Sequence, residues 1–223
     1  MTSFLSASSS NDSQDPLYNW RQLTLAIRAN PKKLPTHTQR IMLAMDIQLQ
    51  PYLSGALQDF FITLKDTGYP LKEKMLHLSS PLLESSSRAY FMQWLNDNSD
   101  SHLECVRYAG ATLVSDSCQQ LSVDNEAEDM QLLENFLNKN YDNPIGKAEY
   151  CVAYGCIEKG QELLEAEILS HKKHSPLVEQ ALLSIYYHSQ NKDALNQMTQ
   201  HLQRIDRALS EDWKKIQSLA KEW

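Results

Sequence analysis

The stretch from Lys147 to Leu202 constrains this chain more than any other, because it reads as two linked helical hairpins in tandem. Each half carries the same small-residue mark, Gly160 and Ala194, separated by 34 residues. That spacing is the period of a tetratricopeptide repeat, in which one helix pair stacks on the next and buries a shared face. Close helix crossing needs a small residue where two backbones approach, which assigns Gly160 and Ala194 to packing positions. Tyr154 and Tyr186 are expected to fill the gap between successive hairpins with their broad rings. An amphipathic hairpin cannot bury its face alone, so the pattern predicts stacking.

Composition agrees. Six glycines and eight prolines in 223 residues are few for an all-β chain, whereas Leu, Gln, Ala, Glu and Lys are plentiful and form helices readily. The expected fold is all-α: antiparallel helical hairpins stacked as a short tetratricopeptide-like solenoid, with an additional N-terminal helical part. Its expected organisation is a flexible leader over 1–15, an N-terminal helical region over 16–115, an acidic linker over 116–125, and a tetratricopeptide-like domain over 126–223.

Along the chain, Asp15-Pro16 is a helix entry, with Asp as cap and Pro in the first turn. That helix should run to Asn30, with Trp20, Leu23 and Ile27 on one face, and stop at Pro31. Thr36 or Thr38 is the expected cap of a second helix, and the segment from Tyr52 to Lys65 carries an apolar stripe of Leu53, Leu57, Phe60, Phe61 and Leu64 at spacings of three and four. A short helix over 70–78 and another over 81–96 follow. A helix through Val106 and Leu113 is expected next, then one over 126–138. Helices near 144–156, 158–171, 175–189 and 191–205 are joined by very short turns, the mark of helical hairpins. Ser210 caps a last helix to Trp223, a closing element of the kind a solenoid needs for its open face.

The string Ala148-Glu149-Tyr150-Cys151-Val152-Ala153-Tyr154-Gly155, followed by Glu162-Leu163-Leu164, resembles a hairpin of the FimV-type pilus-assembly and polar-hub proteins. Leu182-Leu183-Ser184-Ile185-Tyr186, followed by Lys192-Asp193-Ala194-Leu195, resembles the hairpin that comes after it there. The resemblance spans residues 144–205 and implies a bacterial module with a scaffolding role in type IV pilus assembly or polar organisation. Two departures stand out. Gly160 replaces the usual alanine, which weakens the helix by about 1 kcal/mol. Gln190-Asn191 stands where family members commonly have Gly-Asp.

Charge and motifs narrow the function classes. The net charge of −7 resides in the C-terminal half: residues 1–110 hold ten Lys/Arg against ten Asp/Glu, and residues 111–223 hold 11 against 18. An acidic repeat half argues against nucleic acid as ligand, since phosphate contacts need clustered Lys and Arg. Neither Gly-rich phosphate loop nor nucleophile elbow is present; Ser85-Ser86-Ser87 lacks flanking glycines. No catalytic residue, cofactor site or metal site is therefore expected. His102 with Cys105 lacks an orienting third group, and His171 with His174 lacks a partner ligand of fixed spacing. Cys105, Cys118, Cys151 and Cys156 form no zinc signature. Cys151 and Cys156, on one expected helix, would stand about 140° apart around it, so buried, reduced thiols are expected.

No run approaches a membrane span, and the N-terminus carries no secretory pattern, so direct membrane insertion is not expected and the expected compartment is the cytoplasm. The expected function is a non-catalytic adaptor binding one or more protein partners; homo-oligomerisation is compatible with it. Its expected groove is lined by the first helix of each hairpin, through Glu149, Val152, Glu179 and Ser184. Two alternatives stay open: a subunit of an obligate assembly in secretion or defence, and a small-ligand sensor or enzyme built on Trp20, Phe60, Phe61, Tyr90, Phe91 and Trp94. The same aromatic stripe also reads as core, and the acidic tract Asp124, Glu126, Glu128 and Asp129 reads as a solvated loop or a lure for a basic partner.

Overall fold

The structure is a computed structural model and describes residues 15–46, 48–97, 107–114, 135–170 and 175–223. Among the described residues the chain is helical apart from turns and one extended segment, with no strand. Residues 1–14 of the expected leader, the expected linker, and His102, Cys105, Cys118, His171 and His174 lie outside them.

Helix α1 (Pro16–Ala29) starts where the Asp15 carboxylate accepts from the Leu17 backbone N–H at 2.9 Å. Its buried residues are Trp20, Thr24, Leu25 and Ile27, with Leu23 only half-buried. The single face expected for it is thus two faces, because α1 lies between two sets of neighbours. Trp20 enters an N-terminal core and Leu25 a C-terminal one.

Helix α2 (Leu34–Ala44) starts before Thr36, which is buried and caps nothing; Pro35 presets the first turn instead. After a 3-10 turn (Gln50–Tyr52) come α3 (Leu53–Leu64) and α4 (Tyr69–Ser79). The helix expected over 81–96 is broken: a 3-10 turn (Ser80–Leu82) leads to an extended Leu83 that turns into the core, and α5 (Ser85–Asp97) follows. Helix α3 is the hub of the first core. Its Leu53, Ala56, Leu57, Phe60 and Phe61 are 0–1% exposed, and α2 and α4 pack against it. Phe61 lies 5.3 Å from Phe91 and 5.2 Å from Trp94, centroid to centroid. Such tilted ring pairs add about 0.5–1.5 kcal/mol each beyond their burial.

Residues 107–114 are extended where a helix was expected. The reason is space. A Cβ on Gly55 would stand 2.2 Å from the Ala109 carbonyl oxygen, and one on Gly155 would stand 2.2 Å from that of Ala111. The segment is therefore a strap squeezed between α3 and the end of a later helix, a gap that a helix about 10 Å thick cannot enter.

A further helix, α6 (residues 135–140), precedes the hairpin part. That part comprises α7 (Pro144–Tyr154), α8 (Ile157–Ser170), α9 (Pro176–Ser189), α10 (Lys192–Arg204) and α11 (Glu211–Leu219). Side chains of Asn143, Ser175, Asn191 and Ser210 cap four of these helices by accepting from backbone N–H groups of their first turns. Helix α8 packs on α7, α9 on α8, and α10 and α11 on α9. Ala148, Cys151 and Val152 of α7 are buried, and 34 residues on so are Leu182, Ile185 and Tyr186 of α9. Leu164 and Ile168 of α8 return in the same way as Met198 and Leu202 of α10. The turns are one residue out of step: Gly155 (φ 96°) and Gln190 (φ 53°) each end a helix in the left-handed conformation, and α9 has 14 residues against 11 in α7.

That turn corrects the cysteine geometry. The helix expected over 144–156 ends at Tyr154, so Cys156 sits in the turn, its N–H bonded back to the Cys151 carbonyl at 2.8 Å. Both thiols are free, Cys151 fully buried and Cys156 half-buried. Burial pushes the Cys151 thiol up to about 12, which leaves it a packed apolar group at neutral pH.

Candidate functional site

The four residues expected to line a groove do not form one. Helix α1 packs across α7 and α9, the first helices of the two hairpins, and so covers the face assigned to a partner. Val152 is 3% exposed and packs in the same core as Leu25 of α1. Glu149 lies 3.5 Å from the Arg21 guanidinium of α1. Glu179 instead accepts from the Ser210 hydroxyl ahead of α11, and Ser184 is half-buried. The chain fills this face itself because α1 has a second apolar side to bury. Trp20 Nε1 seals the contact by donating to the Ala153 carbonyl at 2.8 Å, and Arg28 pairs with Glu158 at 2.5 Å.

The residues assigned to packing fall as follows. A Cβ at Gly160 would stand 2.9 Å from the Ala148 carbonyl oxygen, so α8 crosses α7 closely there. Ala194 is half-buried against the C-terminal core. The Tyr186 ring is buried edge-on to Trp213, and its hydroxyl donates to Glu165 Oε1 at 2.5 Å. Burial and the Glu165 carboxylate both push its phenol up from the usual value. Tyr154 differs: 34 residues on from it is His188, not Tyr186, and its ring stacks on Tyr150 at 5.9 Å.

Beneath the strap lies an ion pair that sequence reading did not single out. Arg40 of α2 and Asp59 of α3 are both wholly buried, 2.6 Å apart. Asp59 also accepts from the backbone N–H groups of Thr112 (2.9 Å) and Leu113 (2.8 Å) and from the Thr112 hydroxyl (3.0 Å). Arg40 donates to the Gly110 carbonyl and lies 4.1 Å above the Trp20 ring. Burial pulls the Arg40 guanidinium below its usual range, and the Asp59 charge opposes that shift. Gly110 N–H donates to the Tyr154 carbonyl at 2.7 Å, so the strap ties α2 and α3 to α7. With both charges enclosed, this arrangement fastens the chain and presents nothing to a substrate. The available signal was a charge inside an apolar register: Asp59 sits between Leu57 and Phe60, and Arg40 beside Ile41.

The aromatic residues weighed as a ligand pocket are closed. Trp20, Phe60, Phe61, Phe91 and Trp94 are 0–2% exposed. A different ring cluster faces outward: Phe136 (43% exposed) with half-buried Tyr141, Tyr150 and Tyr154. Phe136 and Tyr150 lie 4.9 Å apart and Tyr141 and Tyr150 5.7 Å. Partial burial, then the neighbouring Tyr52, Tyr154 and Tyr141, push the Tyr150 phenol up to about 12. The Tyr150 hydroxyl therefore stays a neutral donor near pH 7. The sequence signal was Tyr150-x-x-x-Tyr154, an i, i+4 pair at the edge of the buried stripe of α7.

Among the described residues no group of three or more His, Cys, Asp or Glu converges as metal ligands would, and no helix is long and apolar enough to cross a membrane. No family model, no curated protein and no solved structure matches the chain.

Proposed function

We propose that this chain is a non-catalytic, cytoplasmic adaptor of tetratricopeptide-like build that binds a protein partner through the ring face of Phe136, Tyr141, Tyr150 and Tyr154. The observation that carries the reading is the exposure of these contiguous rings beside α7, against which α1 packs elsewhere. Tyrosine suits such a role because its ring gives apolar contact area while its hydroxyl bonds at a wet rim. The 34-residue return of buried positions supports the stacked-hairpin architecture. The resemblance to FimV-type hairpins supports a setting in bacterial type IV pilus assembly or polar organisation.

The test is affinity purification with cross-linking mass spectrometry, run on the wild type and on Phe136→Ala/Tyr150→Ala. The expected result is a partner cross-linked beside α6 and α7 and lost from the double variant, whose circular dichroism stays native. Equal recovery by a folded double variant overturns the assignment of this face.

A further inference from the structure

A cleft of about 350 Å³ opens between α10 and α11, away from both α1 and the ring face. Its lining includes Lys192 at the start of α10, Lys214 and Lys221 at the two ends of α11, and the amide side chains of Asn196 and Gln217. Three ammonium groups thus gather in the half of the chain that carries the whole acidic excess. Glu211, bonded to Lys214 at 2.6 Å, is 89% exposed. An exposed pair of this kind contributes little and exchanges readily for another anion.

The walls are held in place. Trp213 Nε1 donates to Thr199 Oγ1 at 2.8 Å, and Gln217 Nε2 donates to the same oxygen at 3.2 Å. Thr199 Oγ1 in turn donates to the Leu195 carbonyl at 2.7 Å, so this network fixes α11 on α10. Trp213 is 1% exposed, so α11 is anchored in packed core.

We infer that this cleft docks an acidic peptide segment of a protein partner, a conclusion that rests on the adaptor reading and adds the partner's chemistry to it. Three arguments select that occupant. Spaced lysines meet separate carboxylates as point charges, whereas bidentate phosphate recognition favours arginine, which the lining lacks. Asn196 and Gln217 each carry a donor and an acceptor, the pair a peptide backbone needs. No aromatic side chain lines the cleft to stack on a base, which disfavours a single-stranded nucleic acid.

Fluorescence anisotropy with a labelled octaglutamate peptide tests the inference on the full chain at low salt, with an octaserine peptide and inorganic phosphate as comparators. Octaglutamate should bind, weaken as salt rises, and resist displacement by equimolar phosphate. Lys192→Glu/Lys214→Glu/Lys221→Glu should weaken it by more than about tenfold, and the triple Gln variant by less. Because Lys214 and Lys221 are exposed and Lys192 is only partly buried, circular dichroism should show both variants folded. Failure of the wild type to bind octaglutamate, an unchanged Kd in the folded charge-reversed variant, or full displacement by equimolar phosphate overturns it. Loss of the cleft alone leaves partner capture through Phe136 and Tyr150 intact, so the two readings fail separately.

Discussion

The two halves of this molecule are held together by different means. In α1–α5 the fastening is long-range and buried: Asp59 reaches 53 residues along the chain to Thr112, and five large rings are closed into one core. In α7–α11 it is local and repeated, with a side-chain cap at the start of four helices and aliphatic positions returning every 34 residues. One half depends on a few irreplaceable contacts, and the other spreads its stability over many small ones.

Removing Asp59 should break that contrast open most clearly. Asp59→Ala leaves Arg40 buried without a counter-charge and the strap N–H groups unbonded, a loss of about 3–5 kcal/mol. Urea unfolding measures it. In the other half, Asn143→Ala removes the local cap of α7 and should cost only about 1 kcal/mol. Comparable losses for the two variants would show that the halves do not differ in kind.

Acid should loosen both halves, through one histidine in each. Burial lowers the pKa of His37, whose Nε2 lies 2.8 Å from the Pro31 carbonyl, and likewise that of His188. With folded values below the unfolded value of about 6.5, the neutral forms favour folding. Their contribution is complete above that value and is lost as pH falls through the lowered folded values. Unfolding midpoints between neutral pH and about pH 5 should therefore decline, and His37→Gln/His188→Gln should flatten the decline. An unchanged slope in the double variant would exclude these two groups as its source.

The smallest expected effect sharpens the local side of the comparison. Gln190 holds φ 53°, a conformation costing a side chain about 1–2 kcal/mol that glycine avoids. Gln190→Gly should raise stability by about 1 kcal/mol after glycine's extra unfolded-state entropy is subtracted. A lower Tm would mean that contacts of the Gln190 side chain outweigh its backbone strain.

The same contrast explains what could be read from the sequence. Helices α7–α10 fall within two residues of their expected bounds, because caps and short turns act over three or four residues; α11 starts after Ser210 as expected but ends at Leu219, short of Trp223. The strap, the break at Leu83 and the second face of α1 escaped, since each exists only through distant partners. Gly110 alone does not announce an extended segment; Gly55 and Gly155, which leave room for it, stand 55 and 45 residues away. The packing of α1 across α7 and α9 escaped for the same reason. Nothing near Glu149 or Val152 shows that Leu25 and Arg21, more than a hundred residues earlier, already lie against them.

The seam formed by Trp20, Leu25 and Ala153 bears on how such a chain can be inherited. A helical hairpin pair is commonly a cassette, copied and moved between proteins. This pair would not stand by itself, because without α1 the apolar side chains of α7 and α9 that it covers would meet water. Any recombination that moves the hairpins must carry α1 with them or supply a substitute, although more than a hundred residues lie between them.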